Sequence, residues 1–143
     1  MIEGVLYEFK NNMVIKAHNE IEKVEANYTP LSPISFLSKA AKIFPEKTSI
    51  IYESRIFSWL ETYLRCRKLA SALSKEFSHG DVVGFLAANT PELYEAHFGI
   101  PMAGMVLNAL NIRLDPETIS YIIDHSEIKI IFENDEFIEL VIK

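Results

Sequence analysis

Apolar residues occur at helical spacing in some parts of the chain and in short continuous runs in others. Helical spacing over residues 34–44 predicts a helix that ends before Pro45, because proline disfavours helical geometry in the residue before it. Thr48–Tyr52 and residues 55–57 are rich in strand formers, and Glu53-Ser54 lies between them. This pattern predicts two strands joined by a tight turn.

A capping pattern and a continuous apolar run define the next two elements. Ser58 and Glu61 fit the S-x-x-E capping box, in which each side chain bonds to the backbone N–H of the other residue. We therefore predict a helix over residues 59–77, followed by a turn at 79–81. Residues 82–88 are almost all apolar, which is typical of a strand buried on both faces of a parallel sheet.

A second helix-start pattern occurs twice in the rest of the chain. Thr90-Pro91-Glu92 and Asp115-Pro116-Glu117 each combine a capping residue, a proline at the first helical position and an acid near the positive end of the helix dipole. They predict helices that reach about residues 103 and 125. Pro101 predicts a kink or an early end in the first of these helices.

The predicted strands at 82–88, 105–110 and 128–132 are separated by single helices. This β-α-β-α-β order predicts an α/β fold with a parallel sheet and right-handed crossovers. Residues 1–26 carry many charges and no clear turn signal. We interpret them as a poorly defined N-terminal extension, loosely attached to a domain at 27–143.

The composition is typical of a soluble globular protein. The 143 residues are 49% hydrophobic and 24% charged, with a net charge of −6. No clustered basic surface is visible, which argues against nucleic-acid binding. No apolar run approaches the roughly 20 residues of a membrane span. The first residues lack the features of a secretory signal or transit peptide, so we expect an intracellular protein.

The single cysteine limits the available chemistry. Cys66 excludes an internal disulfide and a cysteine-based zinc site. Arg65 and Arg67 flank it, and nearby cations can lower the pKa of a thiol. Because Cys66 lies close to the apolar stripe of its predicted helix, we expect an unreactive, packed thiol.

The five glycines do not form a phosphate-binding loop. Gly99 and Gly104 have the spacing of the first half of a P-loop, but Met105 and Val106 follow where its lysine and hydroxyl residue belong. The segment also runs from helix to strand, the reverse of a P-loop. We interpret the two glycines as packing positions at a helix end.

Two groups of polar residues and one single histidine each have both a functional and a structural interpretation. Asp124-His125-Ser126 are adjacent in sequence and do not make a catalytic relay, so we interpret them as helix-end residues. His97 is interpreted as a satisfied, partly buried histidine. Glu92 and Glu95 fall on one helix face, where paired carboxylates can perform acid–base catalysis, although a solvated face is the commoner arrangement.

Several collinear segments carry a family resemblance. Residues 27–37 read NYTPLSPISFL, and residues 94–104 read YEAHFGIPMAG. Together with residues 57–59, 65–73, 80–83, 87–91, 108–115 and 125–129, they resemble plant acyl-activating enzymes. These enzymes are AMP-forming acyl-CoA ligases of the adenylate-forming superfamily. The likeness covers nearly everything from residue 27 to about residue 135.

The resemblance implies both a fold and a parent function. The fold is the N-terminal part of the adenylate-forming enzyme fold, a partial three-layer, Rossmann-like parallel sheet. The function is ATP-dependent ligation of a fatty or aromatic carboxylate to CoA through an acyl-adenylate, with ATP, Mg²⁺ and CoA as cofactors. The implied compartment is cytoplasmic or peroxisomal, and no Ser-Lys-Leu-like peroxisomal signal is present.

The family's catalytic motifs have no counterpart in this chain. The missing motifs are a Ser/Thr/Gly-rich loop ending in Lys-Gly, later nucleotide contacts and a C-terminal lysine domain. We therefore assign no catalytic, cofactor-binding or metal-binding residue. The expectation is a truncated ligase that is inactive and holds no cofactor by itself.

Two alternatives remain open at this point. One is a non-catalytic interaction module that self-associates or pairs with a full-length homologue through open sheet edges. The other is a stand-alone nucleotide-binding domain, against which the missing glycine loop argues. If the rest of a parent enzyme normally covers the sheet, seven residues are expected to be incompletely buried: Val83, Phe85, Leu86, Val106, Leu107, Ile130 and Ile131. We therefore expect a marginally stable, aggregation-prone chain.

Overall fold

Helices and strands alternate through the part of the chain that the computed structural model describes, Tyr28 and residues 32–138. The extension expected at 1–26 lies outside these residues. The elements are α1 (Pro33–Ile43), β1 (Thr48–Tyr52), β2 (Arg55–Ser58), α2 (Trp59–Glu76), β3 (Val82–Leu86), α3 (Pro91–Met102), β4 (Val106–Leu110), α4 (Pro116–His125) and β5 (Ile128–Glu133), with a 3₁₀ turn at Asp135–Phe137. Every helix and strand predicted within the described residues is present, with bounds that differ by two residues or fewer.

The predicted helix starts are confirmed by their hydrogen bonds. The Ser58 hydroxyl accepts from the backbone N–H of Glu61, and the Glu61 carboxylate accepts from the backbone N–H of Ser58 at 2.7 Å. Thr90 caps α3, and Asp115 caps α4 by accepting from the backbone of Thr118. These side chains satisfy amide groups that have no partner inside the helix.

The strands form two separate sheets. β1 and β2 pair antiparallel as the predicted hairpin. β3 lies between β4 and β5 and is parallel to both, which confirms the predicted parallel α/β arrangement. The central strand is therefore the first of the three in sequence. The chain places β4 on one side of it and then crosses to place β5 on the other.

Helices cover both faces of the central strand. The cluster on the α2–α3 side contains Leu73, Val83, Phe85, Ala87, Ala96, Ile100 and Met105. The cluster on the α4 side contains Leu86, Leu110 and Ile119. Successive residues of a strand point to opposite faces, so Phe85 and Leu86 enter different clusters. This arrangement confirms the partial three-layer fold, and α1 packs on the outside against α2 and α3.

The expectation of incomplete burial was wrong for the central strand. Val83, Phe85 and Leu86 are all buried, because helices cover both faces of β3 and strands flank both of its edges. The expectation was right for the residues of the two outer strands. Leu107, Ile130 and Ile131 are partly exposed, and Val106 is 52% exposed.

Candidate functional site

Two arginines and two glutamates join β2, α2 and α3 beside the start of α3. Arg55 donates to both carboxylate oxygens of Glu92, at 2.7 and 3.3 Å. Arg65 donates from Nε to Glu95 at 2.5 Å, and its Nη2 lies 3.7 Å from Glu92. The two glutamates therefore share a helix face, as predicted.

The interpretation of that face as solvated was wrong for Glu95. The residue is only 6% exposed, because α2 packs against this face of α3. Arg65 supplies the counter-charge that a buried carboxylate requires. The network thus resembles a structural clamp more than an acid–base pair.

The charges in this network favour the ionised form of Glu92. The hydrogen bond from Arg55 holds the pKa of the Glu92 carboxyl below its ordinary value, although partial burial opposes it. In the same network, the hydrogen bond to Glu95 raises the pKa of Arg65, which favours the charged form of the arginine. A general acid needs a pKa raised towards the working pH, so Glu92 lacks the protonation state for that role.

An open groove of about 620 Å³ runs between the β1–β2 hairpin and α3. Its walls are mainly apolar and aromatic, and include Ile50, Ile51, Tyr52, Pro91, Tyr94 and Phe98. Four polar residues also line it: Ser49, Asn89, Thr90 and His97. A predominantly apolar concavity with a few polar groups is typical of binding sites for small ligands or apolar segments.

His97 lies in this groove, on the outer side of α3. Its Nδ1 is 2.8 Å from the carbonyl oxygen of Leu93. A carbonyl only accepts, so Nδ1 donates this bond and the neutral ring keeps Nε2 as an acceptor. The prediction of a satisfied histidine is confirmed. The prediction of partial burial was wrong, because α3 turns residue 97 away from the core side that carries Ala96 and Ile100.

Cys66 is a fully buried thiol between α2 and α3. Its Sγ lies 3.6 Å from the backbone oxygen of Glu95. Burial, with the nearby Glu95 charge, raises the pKa of Cys66 to about 12 against the opposing effect of Arg65. The packed position predicted for this cysteine is confirmed, and at neutral pH the group is a thiol.

The two glycines of the apparent half P-loop have packing roles, as predicted. A Cβ at Gly99 would lie 2.8 Å from Cδ2 of Leu69 and 3.1 Å from the backbone oxygen of Cys66. Gly104 has a φ of +77°, and its N–H bonds to the carbonyl of Pro101. With the bond from Met105 to Ile100, this forms a Schellman motif that ends α3 just after Pro101.

The residues at the end of α4 do not converge. The ring of His125 stacks on Tyr121, with centroids 5.5 Å apart. Ser126 instead accepts a hydrogen bond from the side chain of Asn108 on β4, at 2.8 Å. The interpretation of Asp124-His125-Ser126 as helix-end residues is confirmed. Among residues 32–138 and Tyr28, no cluster of three or more His, Cys, Asp or Glu is suited to a metal ion.

The carboxyl ends of the parallel strands form a second place where ligands can be held. In open α/β sheets, ligands bind at the carboxyl ends of the strands where the strand order reverses, which in the order β4-β3-β5 is between β3 and β5. Thr90 and Asp115 at this edge are already engaged as helix caps. One oxygen of Glu133 is buried with no hydrogen-bond partner among the described residues.

No helix within the described part of the chain is both long and apolar enough to cross a membrane.

The sequence matches a known enzyme family. Residues 37–142 match the family described as AMP-binding enzyme. The match covers most of the chain, including all of the three-stranded sheet.

Plant CoA ligases are similar to this chain over most of its length. The peroxisomal trans-cinnamate:CoA ligase of Petunia hybrida is 49% identical over 122 residues, which are 85% of this chain and 21% of that protein. The peroxisomal acetate/butyrate–CoA ligase of Arabidopsis thaliana is 45% identical over 123 residues, 85% of this chain and 22% of that protein. The chain therefore spans about a fifth of the length of the curated relatives that it matches.

Solved structures share the fold. An anthranilate CoA ligase in complex with anthranoyl-AMP superimposes with a TM-score of 0.75 at 21% identity, over 82% of this chain and 23% of that one. The N-terminal domain of FACL13 from Mycobacterium tuberculosis gives a TM-score of 0.73 at 20% identity, over 78% of this chain and 29% of that one.

Proposed function

This chain belongs to the AMP-binding enzyme family, and we propose that it is the N-terminal part of an ATP-dependent carboxylate–CoA ligase that acts through an acyl-adenylate. The observation that carries the proposal is identity of 45–49% to two plant CoA ligases along 85% of the chain. The collinear likeness seen in the sequence supports the same assignment. The substrate class proposed for the whole enzyme is a fatty or aromatic carboxylic acid.

The role proposed for residues 32–138 within that enzyme is structural support. β3 is covered on both faces, and the Arg55–Glu92 and Arg65–Glu95 pairs fix the start of α3 against β2 and α2. The polar caps at the carboxyl ends of β3 and β4 are occupied by backbone amides. ATP, Mg²⁺ and CoA would be held by parts of the enzyme that correspond to the remaining four-fifths or so of the relatives.

We propose that the 143-residue chain has no adenylation activity alone. Adenylate formation requires charge neutralisation at the phosphates and placement of the carboxylate, and nothing in the described residues is assigned to either task. The test is carboxylate-dependent exchange of pyrophosphate into ATP. The pure chain should show no exchange with acetate, butyrate, benzoate or cinnamate.

A chimera tests the positive half of the proposal. The matching segment of the Petunia ligase is replaced by the corresponding residues of this chain, and the same exchange is measured. An active chimera shows that this sequence supports adenylation when the rest of an enzyme is supplied. A folded but inactive chimera, or exchange by the chain alone, would overturn the proposal.

An interaction module derived from the same fold is the second candidate. It is favoured by β4, which has one hydrogen-bonding edge without a strand partner among the described residues and has Val106 exposed on it. Open strand edges are natural pairing surfaces. Co-purification of the chain with a full-length relative would support this candidate, and failure of the tagged chain to retain any such relative would argue against it.

The compartment proposed is the cytoplasm or the peroxisome. The two relatives described above carry the word peroxisomal in their names. Fluorescence of the native gene product, tagged at its amino terminus and compared with a peroxisomal marker, separates the two. A secreted product would contradict both.

A further inference from the structure

We propose that the outer face of the hairpin and the adjoining groove form a seam against which further polypeptide of the same enzyme packs. This hairpin–groove surface is defined by Ile51, Ile56, Tyr94 and Phe98. The inference rests on the proposed function, because the occupant is the part of an AMP-binding enzyme that this chain does not contain. It concerns the assembly of that enzyme and assigns no ligand.

The hairpin exposes a cross-strand pair of large apolar side chains. Ile51 and Ile56 are directly opposite each other in the register of β1 and β2. They are 72% and 63% exposed, respectively. Directly opposite residues lie on the same face of a sheet, so the two isoleucines form one apolar patch. A soluble two-stranded hairpin usually exposes polar residues on its free face.

The patch is continuous with the groove. Ile51 also lines the groove, whose opposite wall is formed by Tyr94 and Phe98 on α3. These two rings pack against each other with centroids 5.2 Å apart, and Tyr94 remains partly exposed. Burial nevertheless raises the pKa of Tyr94. The apolar surface thus extends from the hairpin across to α3.

The ion pair at one end of this surface is compatible with an apolar occupant. Arg55 and Glu92, at the same end of the hairpin and α3, are already paired with each other at 2.7 Å. No free charge of these two residues is available to a charged partner. An apolar segment of protein would bury the isoleucines and the aromatic rings without breaking this ion pair.

The length of the relatives indicates where such a segment comes from. The Petunia and Arabidopsis ligases are between four and five times longer than the region that they share with this chain. β1 and β2 already contact α2, and the face of the hairpin that carries Ile51 and Ile56 is the one left open. In an enzyme of that length, the remaining polypeptide supplies the packing, and the seam is internal.

The test makes each of two substitutions in two proteins. Ile51→Lys and Ile56→Lys are made separately in the 143-residue chain and in the Petunia chimera described above. In the chain, each should raise the monomeric fraction in sedimentation velocity, because an exposed apolar residue becomes charged. In the chimera, each should lower the Tm by several degrees, because the lysine is forced into a seam.

Ile43→Lys is the matched control. Ile43 is 59% exposed at the end of α1 and lies outside the hairpin–groove surface. It receives the same change of charge and should leave the Tm of the chimera almost unchanged. If Ile51→Lys and Ile56→Lys also leave the Tm unchanged, the seam is disproved.

The outcomes separate this inference from the proposed function. An active chimera that is indifferent to lysine at positions 51 and 56 disproves only the seam. A folded, inactive chimera that these lysines destabilise disproves the ligase assignment and supports the seam. If the chimera does not fold, the same substitutions at the aligned positions of the Petunia ligase provide the measurement. The remaining outcome is that the chain forms a discrete dimer that dissociates when lysine replaces Ile51 or Ile56, while the same surface is exposed in the ligase. That outcome would assign the surface to a second copy of this chain instead.

Discussion

Arg65 on α2 donates a hydrogen bond from Nε to the carboxylate of Glu95 on α3, although Glu95 is almost completely buried. The pair joins the two helices that cover one face of the parallel sheet. Glu95 also lies next to Cys66, whose Sγ contacts its backbone oxygen. A buried carboxylate on α3 is thus paired with an arginine thirty positions earlier in the chain.

Removal of Arg65 should destabilise the fold. Arg65→Ala leaves the Glu95 carboxylate buried without its partner, and because the arginine is partly exposed we expect a loss of about 2 kcal/mol. Urea unfolding followed by circular dichroism measures the loss. Arg67→Ala is the control, since Arg67 is exposed and should cost less than about 1 kcal/mol. Equal effects of the two substitutions would contradict the buried pair.

The ion pair between Arg55 and Glu92 should make the free energy of unfolding depend on pH below 4.5, the ordinary pKa of the Glu92 carboxyl group. The pKa of Glu92 is lowered in the folded state, from an ordinary value of 4.5, chiefly by the hydrogen bond from Arg55. The ionised Glu92 therefore makes its full contribution to the free energy of unfolding above about pH 4.5. This contribution is lost as the pH falls through the folded-state pKa of Glu92. Glu92→Gln should flatten that part of the stability profile measured by urea unfolding.

Arg55→Met provides the control for this pH effect. It removes the main cause of the lowered pKa and leaves the glutamate in place. The profile of Arg55→Met should therefore be flattened in the same pH range as that of Glu92→Gln. If the free energy of unfolding of both variants still falls steeply as the pH is lowered, other carboxyl groups cause the pH dependence.

The thiol of Cys66 should be inert until the protein unfolds. It is fully buried, and its pKa of about 12 leaves almost no thiolate at pH 8. Iodoacetamide labelling followed by mass spectrometry should show negligible modification of the native chain and complete modification in urea. Cys66 is the only cysteine, so the labelled mass reports this site alone. Rapid labelling without urea would show that α2 and α3 separate readily.

Gly99→Ala should destabilise the contact between α2 and α3. Alanine gains up to about 1 kcal/mol over glycine in a helix, but overpacking costs about 1–3 kcal/mol. The new Cβ would lie 3.1 Å from a backbone atom of Cys66, which cannot rotate away. Gly84→Ala is the comparison, because the three atoms nearest to its Cβ would all belong to the side chains of Ile128 and Ile131. Thermal unfolding should give the lower Tm for Gly99→Ala.

The elements could be predicted from the sequence because their signals are local. The capping box at Ser58 and Glu61 and the helix start at Thr90-Pro91 each lie within four residues, and both are present in the structure. The continuous apolar run after Asp81 likewise predicted a strand with two covered faces. Such signals do not depend on which element packs against which.

The candidate site could not be predicted because it depends on packing between distant segments. The burial of Glu95 results from the position of α2, and the groove forms only when the hairpin approaches α3. One signal for the buried acid was present. Glu95 stands between Tyr94 and Ala96 in a helix whose positions 96, 99 and 100 are small or apolar, so it lies beside the core stripe.

The exposed edge of β4 should promote self-association of the chain. Val106 is 52% exposed on a strand that pairs only with β3 among the described residues. A lysine on an edge strand opposes edge-to-edge pairing, because the approaching strand would bury its charge. Val106→Lys should therefore increase the monomeric fraction in sedimentation velocity. Ser120→Lys, which adds the same charge at an exposed position on α4, should have a smaller effect.

If both lysines increase the monomeric fraction equally, net charge and not the open edge controls association. If the unmodified chain is already a monomer with a sharp, reversible melt, the expectation of aggregation is wrong and the edge is protected without a partner.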